Sequence, residues 1–283
     1  MRRHPDWLKV DIPGGESYVR VKSMLRNAKL HTICEEAKCP NIAECFGSGT
    51  AVFLILGDTC TRNCKYCNVK HGEPLVLDPD EPRNVAESVK QLDLKYAVIT
   101  SVTRDDLVDG GASVFAQTVK EIKNLDNNIR VEVLIPDFKG SRETLKTVVD
   151  AGPDVVNHNI EVVEMLFPMI RPEGDYKTSL SVLENVKEIK KDMLTKSGFM
   201  VGLGENKDQI VKTMRDLRGV DVDFLTIGQY LQPTKEHAEI KKYYTPYEFN
   251  DLKRLATWLG FRHVESGPLV RSSYHAEKTL IGN

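Results

Sequence analysis

The chain has 283 residues, 41% of them hydrophobic and 28% charged, with a formal charge of −2. That length buries a real core, either as one barrel-sized domain or as two smaller ones, and the composition excludes a disordered chain. A near-neutral balance gives no electrostatic reason to expect nucleic acid or an anionic membrane as partner.

The start, MRRHPDWLKVDIPGG, has positive charge but no apolar stretch behind it, so no secretory leader is expected. The longest apolar run, Ala51 to Leu56, is far too short to span a bilayer, and a cytoplasmic protein, or an organellar one in mature form, is expected. Residues 1–50 stand apart from the rest of the chain and read as an N-terminal extension carrying Cys34, Cys39 and Cys45. From 51 to 260 short β-branched runs alternate with amphipathic stretches. Strands are predicted at 51–56, 96–102, 130–135, 154–160, 199–203 and 224–227. Helical spacing appears in Val85, Val89 and Leu92, in Val114, Phe115, Val119 and Ile122, in Leu183, Val186 and Ile189, and in Ile210, Met214 and Leu217. The Lys187–Lys191 charge run reads as a solvated helix face. Residues 261–283 fall outside the pattern and read as a C-terminal tail.

Successive strand–helix units predict a parallel sheet with covered faces. A doubly wound sheet would want a glycine fingerprint after its first strand, and here a cysteine loop stands there. Polar residues gather at the strand ends, where barrel enzymes do their chemistry: Ser101 and Thr103, Asp137, Asn157, Asn159 and Glu161, Glu205, Gln229 and Gln232. The expected fold is therefore α/β, a partial, open, six-stranded parallel β/α barrel with extensions at both ends.

All six cysteines lie between Cys34 and Cys67. In a reducing compartment such crowding points to metal or redox chemistry rather than disulfides. They form two triplets: C-x4-C-x5-C over Cys34, Cys39 and Cys45, and C-x3-C-x2-C over Cys60, Cys64 and Cys67. A structural zinc site wants four ligands and favours C-x2-C pairs. A [4Fe–4S] cube wants a ligand on each of four irons, so three thiolates leave one iron open to a reacting molecule.

C-x3-C-x2-C after a first strand resembles the radical S-adenosylmethionine superfamily. The whole chain is similar to its lipoyl synthase family. The shared segments, from about residue 34 to residue 277, are CEEAKCPNIAEC, TCTRNCKYC, VTRDDLVDGGA, NHNIE, RPEGDY, SGFMVGLGE, IGQYLQPT and GPLVRSSYHAE. One departure is Phe46, where the family usually has Trp; another aromatic should keep the packing.

The resemblance implies two [4Fe–4S] clusters and S-adenosylmethionine. Cys60, Cys64 and Cys67 would hold the cluster that cleaves the cofactor to a 5′-deoxyadenosyl radical. That radical would take hydrogen from carbons 6 and 8 of an octanoyl chain on a carrier lysine. The cluster on Cys34, Cys39 and Cys45 would supply sulfur and be consumed, with a serine of Arg271-Ser272-Ser273-Tyr274, here Ser273, as its fourth ligand. The implied partners are an octanoylated lipoyl carrier domain (a 2-oxoacid dehydrogenase E2 subunit or the glycine cleavage H protein), a one-electron donor such as ferredoxin or flavodoxin, and an iron–sulfur carrier. Neither nucleic acid nor membrane is implied.

Tyr66 is either core packing or a neighbour of the adenine. Gly110 and Gly111 are either a plain turn or the superfamily's glycine segment, with Ser101, Thr103 and Arg104 as the alternative cofactor contacts. Asn159 and Glu161 resemble ribose-binding residues, and Gly202 and Glu205 suit close backbone approach to a ligand. His158, His237 and His275 are available as ligands, but neither triplet needs one. Biotin synthase would carry further strand cysteines, of which there are none here, and a methylthiotransferase a further nucleic-acid-binding domain, for which no residues remain, so neither is expected. A zinc-binding or redox-sensing module is the non-enzymatic alternative.

Overall fold

The computed structural model describes residues 5–48 and 50–279. Met1–His4, within the start where no leader is expected, Gly49, and the last four residues of the 261–283 segment lie outside them. The chain divides into two compact units, one of Asp11–Arg62 and Asn68–Val156, the other of residues up to Val10, Asn63–Cys67 and everything from Asn157.

In the first unit, α1 (Glu16–Asn27) packs on α3 (Ile42–Gly47), with the one-turn α2 (Ile33–Glu36) between them in sequence. Val21 and Leu25 bury one stripe of α1, and the Ser17 hydroxyl donates to the Phe46 carbonyl at 3.1 Å. Phe46 is wholly buried with its ring 5.4 Å from that of Tyr18, so the aromatic departure keeps its packing role. The strand β1 (His31–Thr32) runs antiparallel to β2 (Val52–Ile55). A short parallel pair, β3 (Thr59–Cys60) and β4 (Lys70–His71), brackets the second cysteine loop. Then α4 (Glu81–Gln91), β5 (Tyr96–Ser101), α5 (Ala112–Leu125), β6 (Arg130–Leu134), α6 (Arg142–Asp150) and β7 (Val155–Asn157) alternate. β2, β5 and β6 pair in parallel. All four residues of β2 are buried, as a strand covered on both faces requires.

The second unit holds α7 (Phe167–Ile170), α8 (Tyr176–Ile189), β8 (Leu194–Val201), α9 (Lys207–Gly219), β9 (Phe224–Gln229), α10 (Pro246–Trp258) and β10 (His263–Gly267). β8, β9 and β10 pair in parallel. Phe199, Val201 and Ile227 from the strands meet Ile210, Met214 and Leu217 from α9 in one core. Helix starts follow local chemistry. Asn206 with Gln209, and Thr245 with Glu248, form capping boxes that satisfy the first backbone N–H groups of α9 and α10.

The α/β fold with a mostly parallel sheet matches expectation. The differences begin with β1, which the N-terminal extension adds to the sheet antiparallel to β2, and with β7, which ends at Asn157, three residues before the predicted strand end. β8 begins at Leu194, five residues before the predicted start, because Thr195, Lys196 and Ser197 are polar yet almost fully buried and conceal the strand. The sheet also gains β10 beyond residue 260, where only Val264 is fully buried and no apolar run marks a strand.

Candidate functional site

The N-terminal triplet rests on two short helices. Cys34 lies on α2 and Cys45 on α3, and the Cys39 N–H closes on the Cys34 carbonyl at 3.0 Å. The Thr32 hydroxyl accepts from Glu35 N and so starts α2. Burial, followed by the nearness of Cys39 and Cys45, pushes the Cys34 thiol up to about 12. Three thiols near enough to repel one another as thiolates suit a cation that draws off their protons.

Cys60 ends β3 in the same unit. Its sulfur accepts from the backbone N–H of Arg62 at 3.4 Å and of Thr103 at 3.3 Å. Thr103 is thus a support of the cysteine loop: its carbonyl also accepts from Thr61 N and Thr61 Oγ1, each at 3.0 Å. Arg62 is clamped by two carboxylates, with Nε to Asp105 at 2.6 Å and Nη1 to Asp137 at 2.6 Å. Asp137 is visible in sequence as a strand-end polar residue; Arg62 and Asp105 carry no such signal, since their roles depend on a fold that joins residues far apart in sequence.

Cys64, Tyr66 and Cys67 belong to the second unit. The Cys67 N–H closes on the Cys64 carbonyl at 3.1 Å, and Lys65 N donates to the Ile170 carbonyl at 2.8 Å. Burial first, then the carboxylates and thiolates around it, Glu161 foremost, holds the Tyr66 phenol well above its ordinary range. Burial likewise raises Glu161, against the lowering effect of Arg171 and of hydrogen bonds from Asn159 and Tyr66. Glu161 has φ 67°, a left-handed conformation uncommon for a side chain of its size. Two bonds to β8 hold it there: Glu161 N to the Gly198 carbonyl at 3.0 Å, and Met200 N to the Glu161 carbonyl at 2.8 Å. Such over-determined strain is concentrated at ligand sites. Arg171, which the sequence marks only as the first residue of the shared RPEGDY segment, donates to the Asn159 carbonyl at 3.2 Å. Asn159 Nδ2 donates to Ser272 Oγ at 2.7 Å.

Several expected cofactor contacts are occupied by the fold. The Glu205 carboxylate accepts from Gly202 N at 2.6 Å and Leu203 N at 2.9 Å, so both oxygens close a turn. A Cβ at Gly202 would stand 2.2 Å from Gln229 Nε2, so the close approach there is to the protein's own side chain. Arg104 reaches Asp106 and, at 3.1 Å, the Leu56 carbonyl. Gly111, with φ 88°, starts α5, and a Cβ there would lie 2.3 Å from Leu56 Cδ1. By contrast, Ser101 Oγ and Asn159 Oδ1 are buried polar atoms with no hydrogen-bond partner among the described residues. Buried polar atoms are costly unless something satisfies them.

None of the six cysteines is in a disulfide. Among the described residues no three or more His, Cys, Asp or Glu side chains are grouped to hold a single metal ion. A structural zinc needs four ligands on one ion, whereas a cube takes each thiolate on a different iron. Three thiols in a triplet are a donor set that fits a cube, one thiolate to each of three irons.

A model of the Radical SAM superfamily matches residues 54–217. Methylornithine synthase is similar in structure, with a TM-score of 0.58 at 13% identity over 89% of this chain and 83% of its own. HydG, a maturase of the [FeFe]-hydrogenase, gives 0.59 at 16% identity over 94% and 68%. At such identities the likeness concerns the fold alone; with the superfamily match and the cysteine loop, it defines a radical SAM protein. A model of the N-terminal domain of lipoyl synthase matches residues 1–39. The lipoyl synthase of Rubrobacter xylanophilus is 56% identical over 97% of this chain and 85% of its own length. That of Caldicellulosiruptor bescii is 55% identical over 98% and 95%. The chain belongs to the lipoyl synthase family. It is a radical SAM enzyme of sulfur insertion into an octanoyl group on a protein substrate, and a [4Fe–4S] cluster and S-adenosylmethionine come with that membership. No helix among the described residues is long and apolar enough to cross a membrane.

Proposed function

We propose that the two triplets divide one reaction. Cys60, Cys64 and Cys67 hold the cluster that receives S-adenosylmethionine. Cys34, Cys39 and Cys45, with Ser273, hold a second [4Fe–4S] cluster that is spent as the sulfur source for carbons 6 and 8 of octanoyl-lysine. The observation that carries this division is the difference between their surroundings. Cys60 receives two backbone N–H groups at its sulfur, which fix where that ligand sits. Cys34 is buried against two further thiols and resists ionisation without a metal.

When bound, the first cluster and S-adenosylmethionine supply a 5′-deoxyadenosyl radical, which alone can take hydrogen from a methylene that has no acidic proton. The protein's part is to hold and shield. Three thiolates leave one iron for the cofactor. Ser101 and Asn159 offer unsatisfied polar atoms to it, and Glu161 and Tyr66 flank Asn159 in the second unit. Thr103, Arg104, Gly202 and Glu205 support the loops around these contacts.

Ser272 already accepts from Asn159, which favours Ser273 as the oxygen ligand. An alkoxide is more basic than a thiolate, so Ser273 would take a proton and let go readily. In this reading 1–50 is the sulfur-donor extension, 51–260 the catalytic barrel and 261–283 the latch. The protein substrate is an octanoylated lipoyl carrier domain of a 2-oxoacid dehydrogenase or of the glycine cleavage system. A ferredoxin or flavodoxin supplies single electrons, and an iron–sulfur carrier restores the second cluster. The protein works in the cytoplasm.

The test is Cys39→Ala, assayed anaerobically with an octanoyl-lysyl peptide, S-adenosylmethionine and a reductant. This variant should still form 5′-deoxyadenosine and add no sulfur. Lipoyl product from it would show that the sulfur comes from elsewhere.

A further inference from the structure

The segment after β9 is tied to the second cysteine loop at two adjacent points. Ala238 N donates to the Lys65 carbonyl at 2.8 Å. His237 Nε2 stands 2.9 Å from the Cys67 carbonyl. A carbonyl only accepts, so Nε2 carries the proton and donates. The imidazole is itself held, with Nδ1 2.9 Å from the Thr234 hydroxyl. The backbone around it is braced as well: His237 N donates to the Thr234 carbonyl at 3.2 Å, and Gln232 Nε2 to the His237 carbonyl at 2.9 Å. Behind the strap, the phenol of Tyr230, almost fully buried, donates to the Ala238 carbonyl at 2.8 Å.

We infer that His237 is a positioning residue for the cofactor-binding cluster: it ligates nothing, but fixes the Cys64–Cys67 turn through the Cys67 carbonyl. The inference rests on the reading of Cys64 and Cys67 as cluster ligands. The physical reason is local. Between these two cysteines the Cys67 N–H to Cys64 carbonyl bond closes the turn from within, and the His237 bond reaches the Cys67 carbonyl from outside it. Any conformational freedom left in that turn is freedom a cluster would have to remove at each loading. The strap removes it beforehand, by seizing the carbonyl of one ligand residue and the carbonyl of Lys65 between the two. Lys65 N, bonded to the Ile170 carbonyl at 2.8 Å, anchors the same residue from the other side. Gln232, Thr234 and His237 bond to one another and to the Cys67 carbonyl, so the effect is expected at one cluster. That confinement separates positioning from general stabilisation.

The experiment uses the full chain carrying its clusters, kept anaerobic and exposed to a chelator and iodoacetamide, with alkylation followed at each cysteine by mass spectrometry. In the wild-type protein Cys64 and Cys67 should be protected relative to cluster-free protein. If they are not, the ligand assignment itself fails and this inference falls with it. Given that protection, His237→Ala should speed alkylation of Cys64 and Cys67 roughly fivefold, the factor a single hydrogen bond is worth. Cys34, Cys39 and Cys45 should keep their wild-type rates. His237→Gln, whose amide N–H can reach the same carbonyl, should restore most of the protection. Thr234→Val, which frees the ring without removing it, should shift the same two cysteines by less than His237→Ala. Equal acceleration at all six thiols, no acceleration, or no rescue by Gln would overturn the proposal.

Discussion

Arg62 shows how much of the site depends on single side chains. Its guanidinium is 5% exposed and engages Asp137, 3% exposed, and Asp105, 27% exposed. Removing one partner of a buried ion pair strands the other. Arg62→Ala should therefore cost about 3–5 kcal/mol, read by chemical denaturation of cluster-free protein, and Arg62→Lys should recover only part of it because lysine lacks the fork that meets two carboxylates. Cys34 makes a pH-dependent claim. Its thiol is raised from 9.0 to about 12 by burial and by the neighbouring thiols. A raised value means that the folded, metal-free protein favours the protonated form. The resulting stability is complete below about pH 9 and lost as pH climbs toward 12. Alkylation of Cys34 in cluster-free protein should stay slow through pH 9, where an ordinary thiol is already half ionised; a rate that levels off near pH 9 would contradict this. At this scale the cysteines are legible in the sequence because their spacing is local. Arg62, Asp105 and Arg171 are not, because each gains its role from partners brought in by folding. Glu205 resembles a ligand because a glutamate beside two glycines reads the same whether it binds a cofactor or closes its own turn.

At the scale of elements, the turn leading into α5 has two demands that only glycine meets. Gly111 combines a left-handed φ with a buried Leu56 side chain where its Cβ would go. Gly152 has φ 79° with nothing near, so it isolates the backbone cost. Gly111→Ala should be the more destabilising of the two by about 1–3 kcal/mol, the price of overpacking, and thermal unfolding of the pair would measure it. Equal losses would mean that Leu56 yields freely. Strands β2, β5, β6 and β9 are readable as apolar runs, and α4, α5, α8 and α9 as helical stripes. β8 starts earlier than its apolar run because its first half buries Thr195, Lys196 and Ser197, which look like surface residues in sequence. The Thr195 hydroxyl lies 3.3 Å from both the Asp223 carboxylate and the Asp221 carbonyl, which explains how one of them tolerates burial. β10 is hidden for a related reason: His263, Glu265 and Ser266 outnumber its single fully buried apolar residue, Val264.

For the whole molecule, the account holds that one chain carries a cluster that is kept and another that is spent. Family membership establishes the reaction; the division is a proposal, supported by the burial of Cys34 beside Cys39 and Cys45. The most direct measurement is anaerobic turnover of the cluster-loaded full chain with an octanoyl-lysyl carrier peptide, S-adenosylmethionine and a reductant, without any added sulfur source, counting lipoyl groups by mass. The account predicts product bearing two new sulfur atoms that stops at no more than one lipoyl group per polypeptide, while the cluster on Cys60, Cys64 and Cys67 survives. Continued product formation beyond that limit, or loss of both clusters together as product forms, would contradict it.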